Sequence, residues 1–399
     1  MFRTLNSHWR EVLWAFLRLG LTSFGGPIAH LGYFRGELVQ RRQWLEEAAY
    51  ADLVALCQFL PGPASSQVAF ALGLRRAGWR GGIAAWVGFT LPSAILLVVF
   101  AFEARHLPVV LQHGLMHGLE LVALAVVAQA VVGMAQTLCP DRVRAAIAAT
   151  ALVILAAQQS SLAQIAAILI GAGLGFLFCH TSSASSQLQD VVNVSPRLGL
   201  ASIGTVLVLL LVLPYAAALW SSPTLQFFDA FFRSGALVFG GGHVVLPLLQ
   251  DAVVAPGWVP ADVFFAGYGA AQAVPGPLFT FAAYLGAVSS FGPHGLWGAW
   301  LALIAIFLPG LMLLVGALPY WQALKRWPAA RAATSGMNAA VVGMLASAFF
   351  NPRWIATVAS PADLAAVLFA FVLLTVAKTP PIVVVVLGVA WGIAPTLIS

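Results

Sequence analysis

"QFLPGPASSQ" (Gln58–Gln67) and "QAVPGPLFTF" (Gln272–Phe281) each set Pro-Gly-Pro inside an apolar run. Proline in a helix interior removes a hydrogen bond and clashes with the preceding turn, at a cost of ~3 kcal/mol or more. The surrounding composition says where these breaks lie. Of 399 residues, 61% are hydrophobic and 8% charged, against about 25% charged in an ordinary soluble protein. The uncharged runs 81–102, 198–223 and 295–324 are each longer than the ~18 residues that mark a membrane span. The chain reads as an all-α polytopic membrane protein.

Composition also narrows the function. The start, "MFRTLNSHWREVLWAFLRLG", lacks an apolar core followed by a small-residue cleavage site, so no removable leader is expected. Cys57, Cys139 and Cys179 form no ligand spacing. His113 and His117 have helical spacing but no third ligand, so no metal and no cofactor is expected. The net charge of +6 resides in short loops, where it sets topology and is not a nucleic-acid signature. No Walker sequence, G-x-S-x-G, H-E-x-x-H or redox cysteine pair is present. The chain therefore reads as no enzyme and no ATP-driven pump.

An internal repeat is visible. "AFLRLGLTSFGGP" (Ala15–Pro27) matches "AFFRSGALVFGGG" (Ala230–Gly242), and "GWRGGIAAWVGFTLP" (Gly78–Pro92) matches "GLWGAWLALIAIFLP" (Gly295–Pro309). Trp44 precedes Gln58 by the same interval as Trp258 precedes Gln272. A duplicated unit is the reading, with a first repeat at 1–182, a polar linker ("HTSSASSQLQDVVNVSPR") and connecting span at 183–222, and a second repeat at 223–399.

Each repeat is expected to hold two broken segments, at about 10–40 and 48–76, then 226–253 and 261–291, each followed by about four continuous helices. The broken arms have about 12–15 residues, short of the ~20 that cross a bilayer. Arg35, Arg41 and Arg42 precede the second broken segment, and Arg75, Arg76 and Arg80 follow it. A full span would put one of these clusters outside, against the positive-inside rule, whereas a re-entrant hairpin keeps both on the cytoplasmic side. The matching loops of the second half carry Asp251, Asp262 and His294 but no Lys or Arg, and Lys325, Arg326 and Arg331 return inside. The halves are thus expected to run in opposite directions, a recurring plan of secondary transporters.

The breaks supply an anion site. Pro61 ends one arm, Gly62 allows the reversal and Pro63 opens the next helix. The free N–H groups beyond it carry the positive end of the helix dipole. Ser65, Ser66 and Gln67 add donors, with Thr280 behind Pro275, Gly276 and Pro277 as the twin, and Gln58 and Gln272 stand before the breaks. Ser23, Gly25 and Gly26 form the other break of the first half, and Gly240, Gly241 and Gly242 that of the second. The bland alternative is a packing kink; two copies at equivalent places favour the site. Arg18 and Arg233 stand at equivalent places in apolar arms, where an arginine marks a functional site by default and grips an oxyanion bidentately; snorkelling to the interface competes, most of all for Arg18. His30, His243, Asp52 and Glu120 are the candidates for carrying a coupled proton.

"FGGPIAHLGYFRGELVQRRQWL", "YADLVALCQFLPGPASSQ", "AWVGFTLPSA", "FGGGHVVLPLL" and "GYGAAQAVPGPLFTFAAYLGA" resemble the chromate ion transporter family in its long, two-domain form, over nearly the whole chain. The resemblance implies a bacterial inner-membrane exporter of chromate that confers resistance and is driven by protons. Sulfate or another oxyanion, with uptake as the direction, is the alternative on the same architecture; a lipid-handling membrane enzyme is the third reading, disfavoured by the lack of a nucleophile and base. The expected partners are the oxyanion, protons and the lipid bilayer, with a homodimer left open. In the second half Gly242 replaces Pro27, so the two cradles differ chemically.

Overall fold

In the computed structural model, residues 8–158, 160–179, 192, 194–325, 327–350 and 356–398 are described. Most of the polar linker (180–191 and 193) and Arg326 lie outside these residues. The described chain is helical, and five of its helices are long and apolar enough to cross a membrane. The fold is that of an all-α polytopic membrane protein.

The first half opens with α1 (Trp9–Thr22), a break, and α2 (Gly26–Phe34), which runs on into a π-helical turn at Arg35–Arg41. Then come α3 (Glu47–Phe59), the Pro-Gly-Pro break and α4 (Ala64–Glu103). Gly25 and Gly26 take left-handed φ of 94° and 79°, and Gly62 takes 115°, conformations open to glycine. α4 is itself two arms. Ala77 and Gly78 leave helical geometry, and Gly73 packs against the Gly81 carbonyl, residues that a straight helix would hold about 12 Å apart. The arm after Gly78 therefore folds back against the arm after Pro63.

Its ends are pinned by charge and by a ring. Glu11 meets both Arg42, which precedes the hairpin, at 3.6 Å and Arg76, which follows it, at 3.0 Å. Both guanidinium groups lie over the Trp44 ring, at 5.8 and 5.4 Å. The two basic clusters read from the sequence thus share one end of the molecule. α5 (Val109–Leu138), α6 (Arg142–Ala157) and α7 (Ser161–Phe178) complete the half, and α8 (Pro196–Leu219) leads to the next.

The second half repeats the order: α9 (Pro223–Ala236), α10 (Val245–Leu249) with a π turn at Gln250–Val254, α11 (Ala261–Ala271), α12 (Phe281–Val288) and α13 (Gly295–Ala317). After a short α14 (Trp321–Lys325) come α15 (Pro328–Phe349), α16 (Pro361–Thr375) and α17 (Pro381–Ile398). Its hairpin also closes on its tryptophan, without charge. Trp258 stacks on Phe291 at 4.5 Å, and its carbonyl accepts from the Ser290 amide at 2.9 Å. The boundaries follow the expected segments to within a few residues. At α16, Ser360 caps the helix and Pro361 fixes its first turn.

Small residues let these helices touch backbone to backbone, the main route to close packing where lipid is as apolar as leucine. Gly20 of α1 sits on the Phe89 carbonyl, and its repeat partner Gly235 of α9 sits on the Ile306 carbonyl. Gly114 and Gly118 of α5 cross Gly392 and Gly388 of α17. A side chain at Gly20 or Gly235 would collide with backbone, whereas Gly133 faces open space. Gly20→Leu and Gly235→Leu should each destabilise the fold by more than ~3 kcal/mol, and Gly133→Leu by less than ~0.5 kcal/mol; heating in detergent followed by size exclusion reads the difference.

Candidate functional site

The two Pro-Gly-Pro breaks do not rest on their own halves. Gly62 donates its N–H to the Val238 carbonyl at 2.7 Å, and Gly276 donates to the Ser23 carbonyl at 2.9 Å. Ser23 and Val238 occupy matching places, each one residue before the Phe-Gly-Gly of its half. Each proline-flanked glycine is thus bonded to the glycine break of the opposite half. The four breaks form one knot.

Packing around the knot has the same reciprocity. A Cβ on Gly62 would lie 2.8 Å from Gly310 Cα, and one on Gly276 would lie 2.8 Å from Ser93 Oγ. Gly310 and Ser93 each follow the Leu-Pro of the helix that the repeat assigns to the opposite half. Where the two Phe-Gly-Gly breaks meet, Gly242 would present a Cβ 3.2 Å from Pro27 Cγ, so the missing proline makes room for the one that remains. After Gly241 the chain makes a 3-10 turn, Gly242–Val244, before α10, where the first half enters α2 directly through Pro27.

Polar side chains of the first half gather at this knot. Ser23, His30, Ser65, Ser66, Gln67, Thr90 and Ser93 are all buried. His30 Nδ1 stands 3.5 Å from Ser65 Oγ, and its ring meets Phe89 edge-on at 5.3 Å. Gln67 Nε2 donates to the carbonyls of Pro61 at 2.9 Å and Gly310 at 2.8 Å, bracing the first break against α13. Ser93 Oγ donates to the Thr90 carbonyl at 2.9 Å. From the second half, Thr280 Oγ1 donates to the Pro277 carbonyl at 2.7 Å, and His243 Nδ1 lies 2.7 Å from the Tyr268 hydroxyl.

Other residues singled out in the sequence stand elsewhere. Arg18 is exposed on the outer face of α1, in an open groove of about 580 Å³ with Thr22, Tyr33 and Glu37. Arg233 lies in the matching groove of about 540 Å³, covered by Pro214 and Ala217 of α8, where Asp229 holds it by both oxygens at 3.1 and 3.2 Å. Gln58 is exposed, and Gln272 turns back to the Tyr268 carbonyl of its own helix at 3.4 Å. Asp52 is buried and accepts from Trp321 Nε1 at 3.0 Å. Glu120 is half-buried on α5, bonded to Thr357 with Asp262 as its charged neighbour. Pro61, Pro63, Pro275, Pro277, Gly25, Gly26, Gly240 and Gly241 shape the backbone of the knot. Thr90, Ser93, Tyr268 and Gly310 join the site although nothing in the sequence reading singled them out. The signal for the first two was a pair of hydroxyls beside Leu-Pro in an otherwise apolar run.

A sequence model of the family described as Chromate transporter matches residues 10–176 and 225–393, both halves of the chain. The chain belongs to the chromate transporter family. It is 26% identical to a Chromate transport protein of Pseudomonas aeruginosa, over 83% of this chain and 77% of that one. It is 28% identical to a Probable chromate transport protein of Synechococcus elongatus, over 84% and 81%, and 27% identical to a Chromate transport protein of Cupriavidus metallidurans, over 85% and 81%. No solved structure matches the chain. In this chromate transporter family member, the strings that carry the resemblance are those that build the knot.

Gly62→Ala and Gly276→Ala should each cost about 2 kcal/mol or more, because a positive φ and a collision act together. Gly26→Ala, with a positive φ but open space around its Cβ, should cost only ~1–2 kcal/mol. Thermal unfolding of the three variants checks the order.

Proposed function

We propose that the protein is a secondary active transporter that exports chromate across the bacterial inner membrane, coupled to the proton gradient, and so confers chromate resistance. The observation that carries this reading is the knot: four broken segments from two related halves meet at one place, with buried hydroxyls and an imidazole around them. Irregular backbone at membrane depth is tolerated only where protein buries it or a cavity receives it, and paired broken helices at a repeat interface are the usual seat of a transported ion. The relatives are named for chromate transport, which supports chromate as the first substrate to test.

The two halves are proposed to have inverted topology, with the hairpins 47–76 and 261–288 entering from opposite faces. Substrate would lie between the Pro-Gly-Pro breaks, facing the N–H groups at the start of α4 and the hydroxyls beside them. His30 is the proton carrier placed within this set; His243, paired with Tyr268, is the second. Sulfate shares the tetrahedral geometry of chromate and is the competing substrate.

Chromate flux into inside-out vesicles, with and without an imposed pH gradient and with excess sulfate, tests the reading. Gradient-dependent chromate uptake is expected; no chromate flux while sulfate moves would replace the substrate and keep the carrier. For topology, single cysteines at Arg41 and Arg80 should both react with an impermeant maleimide from the cytoplasmic side, and one at Ser290 from the other. Labelling of the first two from opposite faces would make 47–76 a span.

A further inference from the structure

The duplicated backbone suggests two equivalent anion cradles, one per half. The side chains do not. Under the repeat, Ser23 corresponds to Val238, His30 to Val245, Ser65 to Phe279, Gln67 to Phe281, Thr90 to Phe307 and Ser93 to Gly310. Where the first half presents hydroxyls and an imidazole, the second presents methyl groups and rings. Only Ser66 keeps a polar counterpart, Thr280, and the two hydroxyls are used differently. Thr280 Oγ1 is bonded to the Pro277 carbonyl at 2.7 Å, whereas Ser66 Oγ has no partner.

The contrast extends to other first-half side chains around the knot. Nine buried side-chain polar atoms among the described residues lack a hydrogen-bond partner. Five belong to this group: Ser23 Oγ, His30 Nε2, Ser66 Oγ, Gln67 Oε1 and Thr90 Oγ1. Each such atom costs about 1–3 kcal/mol relative to a bonded one, so a concentration of them marks a place that something else completes. Their residues are at most 1% exposed. In the second half, the pair Phe279–Phe307 packs with ring centroids 5.7 Å apart. It stands where the first half has Ser65 and Thr90. The one unpartnered atom beside a second-half break is Asn338 Oδ1, near Gly240; it is an acceptor, which repels an anion.

We propose that the chain carries one oxyanion site, built from the side chains of Ser23, His30, Ser65, Ser66 and Thr90, and that the second half faces it with an apolar wall and binds no anion of its own. This rests on the transporter reading above and goes beyond it in number and in residues. The hydroxyls of Ser23, Ser66 and Thr90 each hold a free donor, and His30 Nε2 donates when Nδ1 accepts from Ser65. A tetrahedral oxyanion offers four acceptors to such donors. Gln67 stands apart: both its amide hydrogens are committed to Pro61 and Gly310, and its free Oε1 is an acceptor, so it braces the loop. Neither arginine enters the set, since Arg18 faces outward and Arg233 is held by Asp229.

Calorimetric titration of the purified full-length protein with chromate and, separately, sulfate tests this. One anion per chain is expected. Ser66→Ala and Thr90→Val should each weaken binding about tenfold, in line with one lost hydrogen bond to a charged group. Thr280→Val should leave binding within about twofold. Both first-half variants delete an unpartnered hydroxyl, so their unfolding temperatures should hold or rise while affinity falls. A merely structural role would lower stability instead and overturn the proposal. Two anions per chain, or equal losses from Thr280→Val and Ser66→Ala, would also overturn it while leaving the transporter reading intact. A wild-type protein that binds neither anion would overturn the oxyanion reading itself, and this proposal with it.

Discussion

Backbone N–H and C=O groups at a break have no water to turn to inside a membrane, and each one left alone costs several kcal/mol. This chain meets that demand by exchange. The amide of Gly62 takes the carbonyl before the second half's glycine break, and the amide of Gly276 takes the carbonyl before the first half's. Neither half can hold its hairpin tip in place without the other. The glycines follow from this closeness: at 115° and 106° their φ values are left-handed, and the opposite half stands where a Cβ would go. The same exchange constrains motion. A hairpin that withdraws from the knot gives up a bond to the other half, so opening on one side is felt at the partner's break.

At their outer ends the two hairpins reach the same closure by different chemistry. In the first half Glu11 ties Arg42 to Arg76 over Trp44; in the second, Phe227, Trp258 and Phe291 stack, with centroid spacings of 6.3 and 4.5 Å. The tryptophan is common to both and serves as the post against which the returning arm stops. The charged version sits in the half whose loops are rich in arginine. An ionic closure weakens as salt rises or water enters, whereas an aromatic one does not, so the two closures respond differently to solvent.

The breaks, the segment limits and the shared side of the two arginine clusters were legible in sequence because each depends on local rules: proline and glycine geometry, the length of apolar runs, loop charge. The placement of the arginines was less so. Position along a helix says how deep a residue lies, not which way it faces. The periodic positions Val12, Ala15, Phe16, Leu19 and Gly20 form the buried face of α1, and Arg18 falls off that stripe beside the exposed Trp14 and Leu21. Thr90 and Ser93 were hidden by the opposite effect. They sit within an apolar run whose average reads as a span, and only the fold shows that the residues after Leu-Pro touch the break of the other half.

The repeat in sequence would explain why both halves use the same breaks and why their side chains need not match. A knot that satisfies its own amides survives replacement of the residues around it, provided that glycine stays where backbones touch. The matched glycines Gly20 and Gly235, Gly62 and Gly276 remain under that constraint. Hydroxyls are under none except the ligand's. In a membrane core an idle hydroxyl is a liability, since it buries a polar group with nothing to bond. Two copies of a polar cradle would double that cost, whereas one polar face against one apolar face would halve it and would exclude water from the far side of a proposed anion. Lower water content strengthens every hydrogen bond to the anion that remains. On this argument, apolar residues in the second half would let the proposed first-half site hold an oxyanion without a fixed cation.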